Sequence, residues 1–153
     1  MRKLVAALTA AGSFFLAVPQ SNAIPILYRT TLSGAAEVPP NASPGTGSAL
    51  VSYDAVAHLL AVNVTFSGLS APNTAAHIHC CTANPFDITQ TAGVATTTPT
   101  FTGFPTGTTA GTYSNTFDLT LATSWNPAFI TANGGTVAGA EAAFAAGLAA
   151  GKT

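Results

Sequence analysis

The sequence predicts an all-β fold, a sandwich or barrel with a short C-terminal helix. Short runs of alternating apolar and polar residues recur along the chain, clusters of Gly, Pro and Asn punctuate them, and helical spacing appears only near the C-terminus. At 153 residues the chain fits one domain, and 48% hydrophobic content is enough for a core. Charged residues make up only 6%, far below the roughly 25% of an ordinary soluble domain. Thr, Ser, Asn and backbone must therefore supply most of the polar surface.

The N-terminus reads as a secretory signal peptide over residues 1–23. Arg2 and Lys3 form its basic start, Leu4 to Val18 its apolar stretch, and Ser21-Asn22-Ala23 a small-x-small cleavage site that predicts a mature start at Ile24. The apolar run falls short of the roughly 20 residues that a spanning helix needs, so no membrane association is expected after cleavage. Without Arg2 and Lys3, two cations (Arg29, Lys152) face five carboxylates, a formal charge of −3. So few cations cannot neutralise a row of phosphates, which argues against nucleic acid as a partner. The expected location is secreted, periplasmic or at the cell surface.

Residues 24–153 then form the domain. Ile26 to Ser33 alternates, with Ile26, Tyr28, Thr30 and Leu32 on one face, and predicts the first strand. Gly34 to Gly47 carries Pro39, Pro40 and Pro44, and predicts an ordered loop or edge segment, because proline cannot donate to a ladder. Ser48 to Tyr53 and Leu60 to Phe66 form the clearest hairpin, turning at Asp54 to Ala57 and ending at Gly68. Gly93 to Thr112 is rich in Thr, Gly and Pro. It is either disordered or an ordered segment that buries Phe101 and Phe104. Tyr113 to Leu121 predicts a strand with Tyr113, Phe117, Leu119 and Leu121 facing in. Asn126-Pro127 has the cap and first-turn pairing that opens a short helix, and Asn133-Gly134-Gly135 breaks it. Val137 to Ala150, with Phe144 and Leu148 four apart, predicts an amphipathic helix stopping at Gly151.

The densest chemistry lies in His77-Ile78-His79-Cys80-Cys81, which holds two of the three histidines and both cysteines. On an extended segment His77, His79 and Cys81 share one face. Two roles stay open. The three side chains suit copper or zinc, since imidazole serves both and thiolate favours Cu(I) or Zn. Alternatively the histidines fasten loop backbone, with Glu37 of the Pro-rich loop as one partner. The cysteines are neighbours and cannot staple distant elements; a vicinal disulfide or two unpaired thiols is expected ahead of double ligation. Glu37 and Asp87 are expected to be surface carboxylates, and Trp125 a core cap. No serine lies in a Gly-x-Ser-x-Gly context. Asn41-Ala42-Ser43 and Asn63-Val64-Thr65 match glycosylation sequons, used only in a eukaryotic secretory pathway.

Several motifs line up in order: Leu32 to Pro40 with its Glu37-Val38-Pro39-Pro40 loop, the Gly47 to Tyr53 strand, Phe66-Ser67-Gly68-Leu69, Ala76-His77-Ile78-His79, and the closing helix with Gly147-Leu148 and Gly151-Lys152. Together they resemble the CHRD (chordin-type) domain over about residues 26 to 153. The Cys80-Cys81-Thr82 continuation is similar to the bacterial branch that often carries a PEP-CTERM sorting tail. The resemblance implies an immunoglobulin-like antiparallel β-sandwich, with Glu37, Pro39 and Pro40 as a structural motif. Family members continue past the helix into an Asn-Ile-His-Thr strand and a Gly-Glu-Ile-Arg-Gly strand. Thr153 precedes both, so the domain is expected to be C-terminally incomplete or its sandwich closed another way.

His-x-His on a strand also resembles the copper strand of Cu/Zn superoxide dismutase. That enzyme's further histidines have no counterpart here, and dismutase chemistry is not expected. The sequence thus predicts a secreted, non-enzymatic binding or structural module whose partner is an extracellular protein or matrix. The alternative is an extracellular or periplasmic copper- or zinc-binding protein using His77, His79 and Cys81.

Overall fold

A computed structural model describes residues 24–87 and 89–153; the expected signal peptide lies outside the described residues. The chain is mostly β, built on one antiparallel sheet of four strands in sequence order: β1 (Ile26–Ser33), β2 (Thr46–Asp54), β3 (Leu59–Ser67) and β4 (Gly111–Asp118). Two helices follow, α1 (Pro127–Ala132) and α2 (Val137–Ala150). No helix among the described residues is long and apolar enough to cross a membrane.

Period-2 patterning sets the register. Tyr53 pairs with Leu60 and Leu60 with Phe117, while Val51 pairs with Val62. One face therefore collects most of the large apolar side chains, and the other is mainly Ser, Thr and Asn with Leu27, Leu50 and Leu59 among them. Asp54 closes the β2–β3 turn by accepting from the amides of Val56 and Ala57. The expected inward set holds except at Leu121, which is 52% exposed. The strand stops at Asp118, whose carboxylate accepts from the amide and hydroxyl of Thr120 and turns the chain before Leu121.

The layer facing the sheet consists of loops and helices. Extended backbone at 76–80 runs beside 92–101, with isolated bridges His79–Val94 and Thr96–Trp125. The Thr96 and Thr100 hydroxyls accept from the amides of Ile78 and Ala76, where a regular ladder would use carbonyls. Gly93 to Thr112 is ordered, because Phe101 and Phe104 are buried against Tyr113. Trp125 caps the core, donating its ring N–H to the Leu119 carbonyl at 3.0 Å and meeting the Phe144 ring edge-on.

Both helices begin as their sequences dictate. Asn126 accepts from the Ala128 amide ahead of Pro127, and Thr136 accepts from the Gly139 amide. Gly134 and Gly135, with φ of 87° and 72°, reverse the chain between them. Gly151 (φ 65°) ends α2 in a left-handed cap. The face of α2 carrying Glu141, Phe144 and Leu148 is buried. At the far edge of the sheet β1 stays uncovered, with Ile26 53% and Leu27 60% exposed.

Candidate functional site

The second layer buries Tyr53, Leu60 and Val62 and leaves Ala49, Val64 and Phe66, toward the other end of the β2–β3 pair, only partly covered. A cleft of about 520 Å³ results, bounded by the Pro-rich loop, the inner face of the sheet and the segment carrying His77 and His79. Its floor is apolar, with Val51, Val62 and Val64 from the sheet and stacked Phe66 and Phe104 at one end. Its polar lining includes Glu37, Asn41, His77 and His79. A broader depression of about 740 Å³ crosses the outer face of the sheet beside Arg29. Of its hydroxyls, Ser48 and Thr65 bond each other at 3.0 Å and Tyr113 donates to the Thr102 carbonyl.

His77 and His79 hold their positions through one ring nitrogen each. His77 Nε2 lies 2.6 Å from the Pro99 carbonyl oxygen, and His79 Nδ1 lies 2.8 Å from that of Ala92. A carbonyl oxygen only accepts, so each of these nitrogens carries the proton and the opposite ring nitrogen keeps its lone pair. The rings stand edge to face with centroids 6.0 Å apart. The histidines thus fasten the 92–99 segment. The Pro-rich loop, expected to be their partner through Glu37, lines the same cleft, and the ring bonds go to Pro99 and Ala92 instead.

The two cysteines form a vicinal disulfide. Cys80 is buried in the core, and the pair packs on α2 at Gly147, where an added Cβ would come 2.5 Å from Cys80 Sγ and 2.6 Å from Cys81 Sγ. Cys81 therefore points its sulfur at the helix while the histidines line the cleft, and in the disulfide it has no thiolate to offer. Among the described residues no group of three or more His, Cys, Asp or Glu side chains could hold a metal ion.

The carboxylates separate. Glu37 is an exposed wall residue of the cleft. Asp87 is occupied by the hydroxyl and amide of Thr89 and by the side chains of Asn84 and Gln90, and the Thr89 hydroxyl above all holds its carboxyl below the ordinary value.

One polar cluster was not legible as a unit. Glu141, 7% exposed, accepts from the Tyr53 hydroxyl at 3.0 Å and contacts His58 Nδ1 at 2.9 Å. Burial, and then the bond to Glu141, pushes the Tyr53 phenol up to about 12. The sequence holds one clue: Glu141 is the sole charged residue of α2 and sits three residues before Phe144 on its apolar face.

Neither a curated protein nor a solved structure matches the chain. A protein-family model, CHRD domain, matches residues 28–151, from β1 through the α2 cap. The Pro-rich loop, the histidine segment and the closing helix all lie within that match, and the chain belongs to the CHRD-domain family.

Proposed function

We propose that this CHRD domain is an exported, non-enzymatic binding module whose ligand surface is the cleft between β2–β3 and the His77–His79 segment. One observation carries the reading: partly exposed Ala49, Val64 and Phe66 on the inner face of the sheet share a cleft with polar residues of two loops, among them Glu37, Asn41, His77 and His79. Sites of this kind, ~300–1,000 Å³ with a few oriented polar groups on apolar walls, are where ligands bind. The fitting partner is an extended segment of an extracellular or matrix protein that inserts an aromatic or aliphatic side chain over Val64 and Phe66. Its polar backbone would then meet Asn41, Glu37 and the imidazoles.

The test is a nuclear magnetic resonance titration with short peptides that each carry one aromatic residue, run on the native domain and on Ala49→Trp. Ala49 lines the cleft, and tryptophan there fills it. Shifts centred on Val64, Phe66 and Phe104 that vanish in Ala49→Trp, with its thermal unfolding otherwise preserved, support the cleft. Shifts centred on Leu50 and Asn63 of the outer face overturn it. Export is checked by N-terminal sequencing of the secreted chain, expected to begin at Ile24.

A second reading, copper or zinc binding through His77 and His79, is favoured by the free nitrogen that each ring keeps.

A further inference from the structure

We infer that His77 and His79 form an open two-imidazole copper(II) site at the wall of the cleft, with His77 Nδ1 and His79 Nε2 as the ligating atoms. The inference rests on the metal-binding reading above and narrows it in three respects: which atoms ligate, how many ligands the chain supplies, and which ion they select.

The atoms follow from hydrogen bonding. Histidines that ligate a metal characteristically donate their other N–H to a carbonyl or carboxylate, which fixes ring orientation and tautomer. Both rings already do so, His77 through Nε2 to Pro99 and His79 through Nδ1 to Ala92. The carbonyls belong to a segment tied to the histidine strand by the Cys80–Gly93, Ala95–Ile78 and Phe101–Ala76 backbone bonds, so both rings are anchored to backbone that is itself fixed. The 6.0 Å between ring centroids falls inside the roughly 4.5–6.3 Å spanned by two imidazoles bonded at ~2.0 Å to one ion as the angle between them widens from a right angle to a straight line.

The number of ligands follows from what surrounds the pair. Cys81 is taken by its neighbour and packs on α2, and no third His, Cys, Asp or Glu joins the pair among the described residues. Protein zinc sites use three or four protein ligands. Two imidazoles with the remaining positions left to water or to a partner's side chain suit copper(II), which nitrogen donors bind most tightly of the divalent first-row ions. Both histidines line the cleft, so a bound segment with a histidine or carboxylate could complete the coordination.

The test titrates the exported chain, purified without affinity metal and with its disulfide intact, with Cu(II) and separately with Zn(II). Electron paramagnetic resonance reads the copper. The expected result is one Cu(II) per chain with nitrogen hyperfine structure, displacement of zinc by equimolar copper, and loss of the signal in His77→Gln/His79→Gln. If that variant misfolds, paramagnetic broadening in the native chain decides: it should begin at residues 76–80, 92 and 99. Zinc bound more tightly than copper would overturn the copper assignment and leave the metal-binding reading standing. Copper binding that survives in the folded double variant, or broadening centred elsewhere, would overturn the assigned atoms. No binding of either ion would overturn both.

Discussion

His58 and the His77–His79 pair use the same side chain for opposite ends. His58 sits in the β2–β3 turn and spends Nδ1 on both oxygens of Glu141, which also accepts from Tyr53. That cluster joins the hairpin to α2, and its carboxylate is buried with its partners in place. His77 and His79 instead bond only to carbonyls, beside a cleft that the fold leaves open. A polar group that is buried and fully partnered holds a fold together; one that is oriented by a single hydrogen bond and keeps a free lone pair is available to a ligand.

The largest effect should come from the buried cluster. Glu141→Ala strands the Tyr53 hydroxyl in the core and is expected to cost about 2–3 kcal/mol in chemical unfolding. The exposed half of His58 keeps the loss below that of a fully buried ion pair. A cost under about 0.5 kcal/mol, the level of an ordinary surface substitution, would break the distinction between the two regions. Gly147→Ala comes next, at about 1–3 kcal/mol, because its Cβ must displace the disulfide or the helix. The same substitution at Gly93, where a Cβ meets nothing within 4 Å, is the control and should have little effect.

A pH dependence sharpens the contrast. The Tyr53 phenol titrates higher in the folded chain, at about 12, than its ordinary 10.0. The folded state therefore holds the proton longer than the unfolded one. This contribution is complete below about pH 10 and is lost as pH rises from there to about 12. Tyr53→Phe should flatten that alkaline loss, as followed by circular dichroism. The smallest effect belongs to the pair in the cleft: His79→Gln removes one exposed hydrogen bond and should cost no more than about 1 kcal/mol. It should nevertheless abolish copper binding, which a role confined to fastening would not predict.

Much of this was legible in the sequence because local patterns decide it. Period-2 alternation placed Val51, Tyr53, Leu60, Val62 and Phe117 on one face. Asn126-Pro127, Asn133-Gly134-Gly135 and Gly151 carry cap and breaker chemistry that acts within a few residues. Leu121 failed because the Asp118–Thr120 turn, a side-chain device, ended the strand before the alternation did. The histidine segment stood out by composition, but its partners did not. Pro99 and Ala92 lie 22 and 13 residues away, and a carbonyl acceptor leaves no mark on residue identity. Glu141 and Tyr53 are 88 residues apart, so only the packing of α2 on the sheet brings them together. The open cleft is likewise a consequence of where the second layer stops.

The most direct test of the account is a long-range proton–nitrogen spectrum of the histidine rings of the metal-free chain at alkaline pH. It should show two fixed and opposite tautomers, His77 protonated on Nε2 and His79 on Nδ1, each with a lone pair on the other nitrogen. Rings that average between tautomers, or that share one, would contradict the claim that the fold holds this pair ready for a ligand.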